Sequence, residues 1–380
     1  MTPQSSLFLD AARFTAALVV LLSHLTDQNL NAVLPWAPWA EESVVVFFVI
    51  SGYVIGYVAD TRENTGPEFA AARLGRLYSV MLPALALTIV LDAVGMAFAP
   101  GLYIGSDHQF SGLRILANML FVQQSWNATV VPLSNGPFWS LAYEFWYYAI
   151  FAAWHFMRGK ARIACLGLAM LCAGPRILAS FPLWLLGLAT YHASTRWHPR
   201  ATIKGLVFAG CAIALCQLLR MDNPIAWFDQ LTEAAFPDRH ISVAGMRLFL
   251  GDIPRLPYKL LVAALFAAMV FCTQGTLPTG GWRARGAKIV RYLAGSTFSL
   301  YLFHAPLIYF FFAVFNVQRT SASGIVLAGL AVIVCCIALS HLFERRVAKY
   351  RQFFRSVFQR LPGGRKSDRP SPVSTIRHDS

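Results

Sequence analysis

The sequence predicts an all-α fold, a polytopic membrane helix bundle of about ten transmembrane helices with both termini in the cytoplasm. Three observations carry that expectation. Of 380 residues, 57% are apolar and only 13% charged, roughly half the charged share of a soluble domain. Apolar runs of span length recur along the chain, and Lys and Arg gather in alternate loops. A chain this apolar would expose more greasy surface than water tolerates, so lipid is its natural solvent.

A hydrocarbon core of about 30 Å needs roughly 20 apolar residues as a helix. Ten segments fit, near 14–33, 43–59, 77–98, 138–156, 163–179, 181–194, 205–219, 258–274, 295–317 and 323–343. The fifth to seventh are short or flanked by proline, and a further apolar stretch at 113–124 suits a half-span or an interfacial helix. With the N-terminus inside, the inner segments are 1–13, 60–76, 157–162, 195–204, 275–291 and 344–380. They hold 24 of the 32 Lys and Arg residues. That bias obeys the positive-inside rule, and two inner termini require an even number of spans. The net charge of +14 thus reads as a topology signal with a pull toward anionic membrane lipid. A nucleic-acid footprint would cluster on one face instead.

Residues 1–343 form the expected transmembrane domain. In 344–361, Val347, Tyr350, Phe354, Val357 and Leu361 recur at helical spacing among Arg345, Arg346, Lys349, Arg351, Arg355 and Arg360. That pattern predicts a basic amphipathic helix along the inner membrane surface. Residues 362–380, rich in Pro, Gly, Ser and Arg, read as a disordered tail. The seven cysteines lie in apolar stretches without metal-ligand spacing, so they read as core residues and no metal is expected. The N-terminus lacks a basic n-region and a small-residue cleavage site, and reads as retained. The long 220–257 loop carries Asp222, Asp229, Glu233, Asp238, His240 and Asp252 beside Trp227 and Phe228. These residue types either meet a sugar or solvate a connection.

Polar groups inside spans cost about 2.5–3.5 kcal/mol on insertion scales and need a reason. Arg13 and His24 lie eleven residues apart, which places them on one helix face about 16 Å apart along the axis. The expected span puts Arg13 at the inner headgroup level and His24 roughly halfway across. A guanidinium at the surface can hold the phosphates of coenzyme A bidentately. An imidazole deeper in the bundle can meet the acyl carbonyl and deprotonate an acceptor hydroxyl. Arg13 as an inside anchor and His24 as a packing residue explain the spacing equally well.

Ser51 and Tyr53 put hydroxyls into the second span, where Gly52 and Gly56 make a small surface for a neighbouring helix. Arg73 and Arg76 form an i,i+3 pair suited to phosphate, anionic lipid or anchoring. The fourth span opens on Trp139, and Ser140, Glu144 and Tyr148 follow as an i,i+4 polar stripe. Glu144 either orients or charge-stabilises His24, or pairs with an arginine. In the ninth span Ser299, Tyr301 and His304 precede Pro306, which frees the carbonyl of Leu302 from its usual partner and predicts a polar pocket or kink.

Taken together, Arg-x10-His at Arg13 and His24, Phe-Phe-x-x-Ser-Gly-Tyr at 47–53, Arg-x-x-Arg at 73–76, Trp-Ser-Leu-x-x-Glu at 139–144 and Ser-x-Tyr-Leu-x-His-x-Pro at 299–306 resemble the acyltransferase-3 family of bacterial membrane O-acyltransferases. The resemblance implies a multi-pass protein of the bacterial inner membrane with an acyl-coenzyme A donor, acetyl-coenzyme A or another acyl thioester, on the cytoplasmic side. It implies a carbohydrate or glycolipid acceptor, such as a surface polysaccharide. His24 would be the catalytic histidine, Glu144 a site carboxylate, and Arg13, Arg73 and Arg76 donor-binding residues. Ser51, Tyr53, Trp139, Ser140, Tyr148, Ser299, Tyr301 and His304 would line the substrate pocket. Some relatives carry an appended extracytoplasmic hydrolase-like domain, for which the tail here is too short. A polysaccharide or glycolipid flippase is the competing class, with Glu144 and His304 as proton-coupling groups; the duplicated halves common in transporters are not evident.

Overall fold

The computed structural model describes residues 1–27, 33–34, 38–103, 111–220, 240–243, 246–249, 255–274, 282–318 and 320–360. Its helices are α1 (Pro3–Leu25), α2 (Ala40–Thr61), α3 (Gly66–Phe98), α4 (Ser111–Met119), α5 (Trp139–Phe156), α6 (Gly159–Ala179) and α7 (Phe181–Arg196). They continue with α8 (Ala201–Arg220), α9 (Leu256–Cys272), α10 (Trp282–Ala294), α11 (Thr297–Val314), α12 (Ala322–Leu342) and α13 (Val347–Arg360). Strands β1 (His240–Val243) and β2 (Met246–Phe249) pair antiparallel in the 220–257 loop, with His240 opposite Phe249. The acidic and aromatic residues from Asp222 to Asp238, and Asp252, lie outside the described residues, as do Leu361 and the tail 362–380.

Each of the ten expected spans falls on a helix. Seven described helical stretches, α1, α2, α3, α6, α8, α11 and the one opening with α12, are long and apolar enough to cross a membrane by length and composition. The other three expected spans are α5, α7 and α9, of 18, 16 and 17 residues, at the lower limit for crossing.

Boundaries move where capping overrides hydropathy. The first helix starts at Pro3 because the Thr2 hydroxyl accepts the Ser5 amide hydrogen and proline suits the first helical position. It ends at Leu25, where Thr26 caps it and Asp27 follows. The apolar run alone placed this span at 14–33. Arg13 therefore occupies the middle of α1 and His24 its last turn. Similarly, Thr65 caps α3 and Pro67 opens it, so Arg73 and Arg76 belong to the helix itself and not to a preceding loop.

The bundle closes through small residues. A Cβ on Gly52 would stand 2.0 Å from the Trp184 carbonyl oxygen, and one on Gly187 2.0 Å from that of Val49. The backbones of α2 and α7 thus touch, as the small surface on α2 predicts. Of the 113–124 stretch only the first part is helical, as α4. The rest joins a loop whose buried Gln123 amide donates to the Phe138 carbonyl (3.1 Å). In the same loop Ser134 donates to buried Asp92 through its amide (2.9 Å) and its hydroxyl (2.6 Å). The amphipathic helix predicted at 344–361 forms as α13. It packs on α3 instead of lying only along a membrane surface: Phe354 meets Tyr78 (5.5 Å between ring centres), and Arg355 pairs with Glu68 (3.2 Å).

Candidate functional site

Five helices, α1, α2, α3, α5 and α11, line an inner cavity whose water-accessible space is about 60 Å³. Arg13, Arg73 and Arg76 stand on its wall and also on that of a neighbouring space of about 450 Å³, so the two adjoin at these three arginines. The larger space is a basic vestibule. Arg291, Arg345 and Arg351 join the first three arginines there, against Asp10, Glu63 and Glu344. Arg73 is held by Glu63 at 2.8 Å and lies over the Phe69 and Tyr148 rings. Arg76 lies over Phe298, 6.0 Å from the ring centre. Among the described residues neither Arg13 nor Arg76 enters an ion pair.

The polar stripe of α5 faces this cavity. Ser140, Glu144 and Tyr148 all line it, with Ser51 from α2 and Tyr301 from α11. Their hydrogen bonds run in one direction. The Trp184 indole donates to Ser51 Oγ (3.2 Å), Ser51 donates to Tyr148 Oη (3.2 Å), and Tyr148 donates to the Glu144 carboxylate. Across the cavity, Ser140 and Tyr301 share a hydrogen bond of 2.7 Å. Of the two roles open to Glu144, orienting His24 is not what its hydrogen bonds serve. The carboxylate is bound by Tyr148 and faces the arginines instead.

Four expected pocket residues, and the expected catalytic His24, lie outside the cavity wall. Tyr53 is buried between α2, α7 and Gln274, with its hydroxyl near Ser194 (3.4 Å). It sits two residues from Ser51, so on a helix the two side chains leave opposite faces. The same spacing separates Ser299 from Tyr301. The amides of Phe298 and Ser299 donate to the Glu344 carboxylate (3.1 and 2.8 Å), which caps the start of α11. Trp139 packs edge-on against Tyr143, outside the cavity wall. His24 and His304 also fall outside it and meet each other, with His304 Nε2 3.3 Å from His24 Nδ1. The way from the cavity to this pair is short, since the Tyr301 ring centre lies 6.3 Å from that of His304.

The carbonyl freed by Pro306 is satisfied. Buried Asn135 donates its amide to the Leu302 oxygen at 2.9 Å and to Thr88 at 3.0 Å, so the 120–138 loop is tied to α11 two residues before His304. Sequence reading missed Asn135, Trp184 and the vestibule cations Arg291, Arg345 and Arg351. One signal was available for the last of these. Gly75 sits between Arg73 and Arg76, and a Cβ there would stand 2.8 Å from the Arg351 amide nitrogen. Only a glycine lets α13 close onto the arginine pair.

Fold and site together define a multi-pass helical membrane protein with a cationic mouth, an inner cavity whose largely apolar wall carries hydroxyls and a carboxylate, and a histidine pair beyond it, His304 buried and His24 half-buried. A family profile described as an acyltransferase domain matches residues 6–341, and the chain belongs to this family, acyltransferase-3. It is similar to the acyltransferase MdmB of Streptomyces mycarofaciens, 27% identical over 46% of this chain and 47% of the relative. It is also similar to the exopolysaccharide production protein ExoZ of Rhizobium meliloti (strain 1021), 32% identical over 36% of this chain and 41% of the relative. The chain thus spans less than half the length of the curated relatives it matches. No solved structure matches it significantly.

Proposed function

We propose that this protein transfers an acyl group, acetyl in the first instance, from acyl-coenzyme A to a hydroxyl of a carbohydrate or glycoconjugate at the bacterial inner membrane. The observation that carries the reading is the convergence of Arg13, Arg73 and Arg76 where a basic vestibule adjoins an inner cavity whose wall carries hydroxyls and Glu144 among apolar side chains. Phosphate oxygens suit the vestibule, because guanidinium forks bind them through paired charge-assisted hydrogen bonds. An extended pantetheine arm suits the narrower cavity, with its thioester end toward Tyr301 and the histidines. The printed name of one relative, an exopolysaccharide production protein, supports a surface polysaccharide as acceptor.

In the proposed reaction His24 takes the proton of the acceptor hydroxyl as the oxygen attacks the thioester carbonyl. The carbon–sulfur bond breaks, the thiolate leaves as coenzyme A, and the proton on His24 passes to it. His24 stands beyond the cavity wall, so in this reading side chains near Tyr301, whose ring centre lies 6.3 Å from that of His304, shift before the thioester reaches it.

The test uses purified protein in proteoliposomes, acetyl-labelled coenzyme A and extracted surface glycans. Alkali-labile label appears on the glycan, and His24→Ala lowers the rate at least ~100-fold, the lower end of what a positioned base contributes. Undiminished transfer by a His24→Ala protein that inserts and binds donor refutes the base. A donor that neither binds nor labels any glycan refutes the activity.

A further inference from the structure

We infer that His304 is the positioning residue for His24, holding its ring in the tautomer that leaves Nε2 free to accept a proton. The inference rests on the reading of His24 as the base. It is carried by three contacts. His24 Nδ1 lies 2.8 Å from the Val20 carbonyl oxygen, and His304 Nδ1 lies 2.9 Å from the Leu300 carbonyl oxygen. A carbonyl only accepts hydrogen bonds, so each ring carries its hydrogen on Nδ1. His304 Nε2 then bears a lone pair, and at 3.3 Å it faces the same His24 Nδ1–H that Val20 shares. Reversing one ring alone sets two lone pairs or two hydrogens against each other between the rings; reversing both restores a hydrogen bond between them but presses a bare Nδ1 against each carbonyl oxygen, at 2.8 and 2.9 Å.

Two consequences follow for the chemistry. With Nδ1 committed twice, His24 has one basic nitrogen left, Nε2, and its direction is fixed by the ring. When that nitrogen takes the acceptor's proton, the imidazolium's Nδ1–H becomes a stronger donor, and both Val20 and His304 are already in place to receive it. This is the part a carboxylate plays in a Ser-His-Asp arrangement, orienting the base and stabilising its charged form. Here a neutral ring performs it, because Glu144 is held by Tyr148 on the cavity wall. His304 is itself immobilised: it is fully buried on α11, and the neighbouring Leu302 carbonyl is tied to Asn135.

Two measurements test the inference. The first compares His304→Phe with His304→Gln in the proteoliposome assay. Phe fills the ring's space without an acceptor, whereas Gln restores an oxygen at the reach of Nε2 and an amide that donates. His304→Phe is expected to lower kcat at least ~100-fold with KM for acyl-coenzyme A unchanged, since the arginines of the mouth are untouched; His304→Gln recovers tenfold or more of that loss. Wild-type kcat in His304→Phe, or equal impairment in both variants, overturns the inference. The second reads ¹⁵N-histidine resonances of the wild-type protein in bilayers, with the His24 signal assigned by its loss in His24→Ala. A protonated Nδ1 and bare Nε2 on His24 support it, and the reverse tautomer overturns it, whether or not the variants fold. If His24→Ala stays active, the base reading falls by itself, and the tautomer measurement still decides the geometry.

Discussion

Arg76 is the residue at which a donor-binding role parts from a topological one. An inside anchor needs only positive charge, so lysine would replace it without loss. A group that grips phosphate needs the planar fork, which lysine lacks. Arg76 lines both the vestibule and the cavity and enters no ion pair among the described residues, whereas Arg73 is committed to Glu63. Arg76→Ala is expected to raise KM for acyl-coenzyme A about 10–100-fold, the worth of one or two hydrogen bonds to a charged group, with kcat little changed. Arg76→Lys should recover only part of that. Full recovery by lysine in steady-state kinetics would return Arg76 to the anchors. At this scale the sequence was legible wherever helical spacing decides direction. Ser140, Glu144 and Tyr148 share a face by their i,i+4 register, and all three meet the cavity. Tyr53 and Ser299 were grouped with Ser51 and Tyr301 by adjacency in the motifs, and a spacing of two residues turns each away. No periodicity announces that a loop asparagine will reach the carbonyl that Pro306 frees.

The seam between α2 and α7 decides where the Ser51 hydroxyl points. Gly52 and Gly187 each stand so close to the opposing backbone that a methyl group would lie 2.0 Å from a carbonyl oxygen, and a backbone cannot swing aside as a side chain does. Gly52→Ala must therefore separate the helices, at about 1–3 kcal/mol by the usual cost of overpacking. It also draws the Trp184 indole away from Ser51, which weakens the hold on Tyr148 and Glu144. Thermal unfolding in detergent should show the loss. Gly167→Ala on α6, where nothing stands within 4 Å, should leave stability unchanged or slightly raised. Equal melting of the two variants would mean that the seam is looser than its geometry. Elements with strong hydropathy, such as α3, α11 and α12, were legible in outline from composition alone. The start of α1 was not, because a threonine cap and a proline set it eleven residues before the apolar run begins.

Across the whole molecule, the basic mouth is assembled from segments far apart in the chain: Arg13 from α1, Arg73 and Arg76 from α3, Arg291 from α10, and Arg345 and Arg351 from the segment after α12. This is why it was only half legible. The first three cations stand in motifs, while the last two read as part of a surface helix, since its amphipathic pattern fits either a membrane or a neighbouring helix. Gly75, the Tyr78–Phe354 ring contact and the Arg355–Glu68 pair place α13 against α3. Arg345 is partly spent on the Tyr292 carbonyl (2.8 Å), so Arg351 is the cleaner probe of whether α13 serves the mouth. Charge at a solvent-filled mouth acts over about 8–10 Å and fades with salt. Arg351→Ala should therefore raise KM for acyl-coenzyme A several-fold at low ionic strength, by about the ~1 kcal/mol that one such charge supplies at 4 Å in water. The difference from wild type should shrink as salt is added. A pantetheine thioester without the nucleotide phosphates should not distinguish the two proteins at any salt. If the variant instead keeps its KM for the full donor but loses membrane retention, α13 is an anchor and the mouth ends at α3.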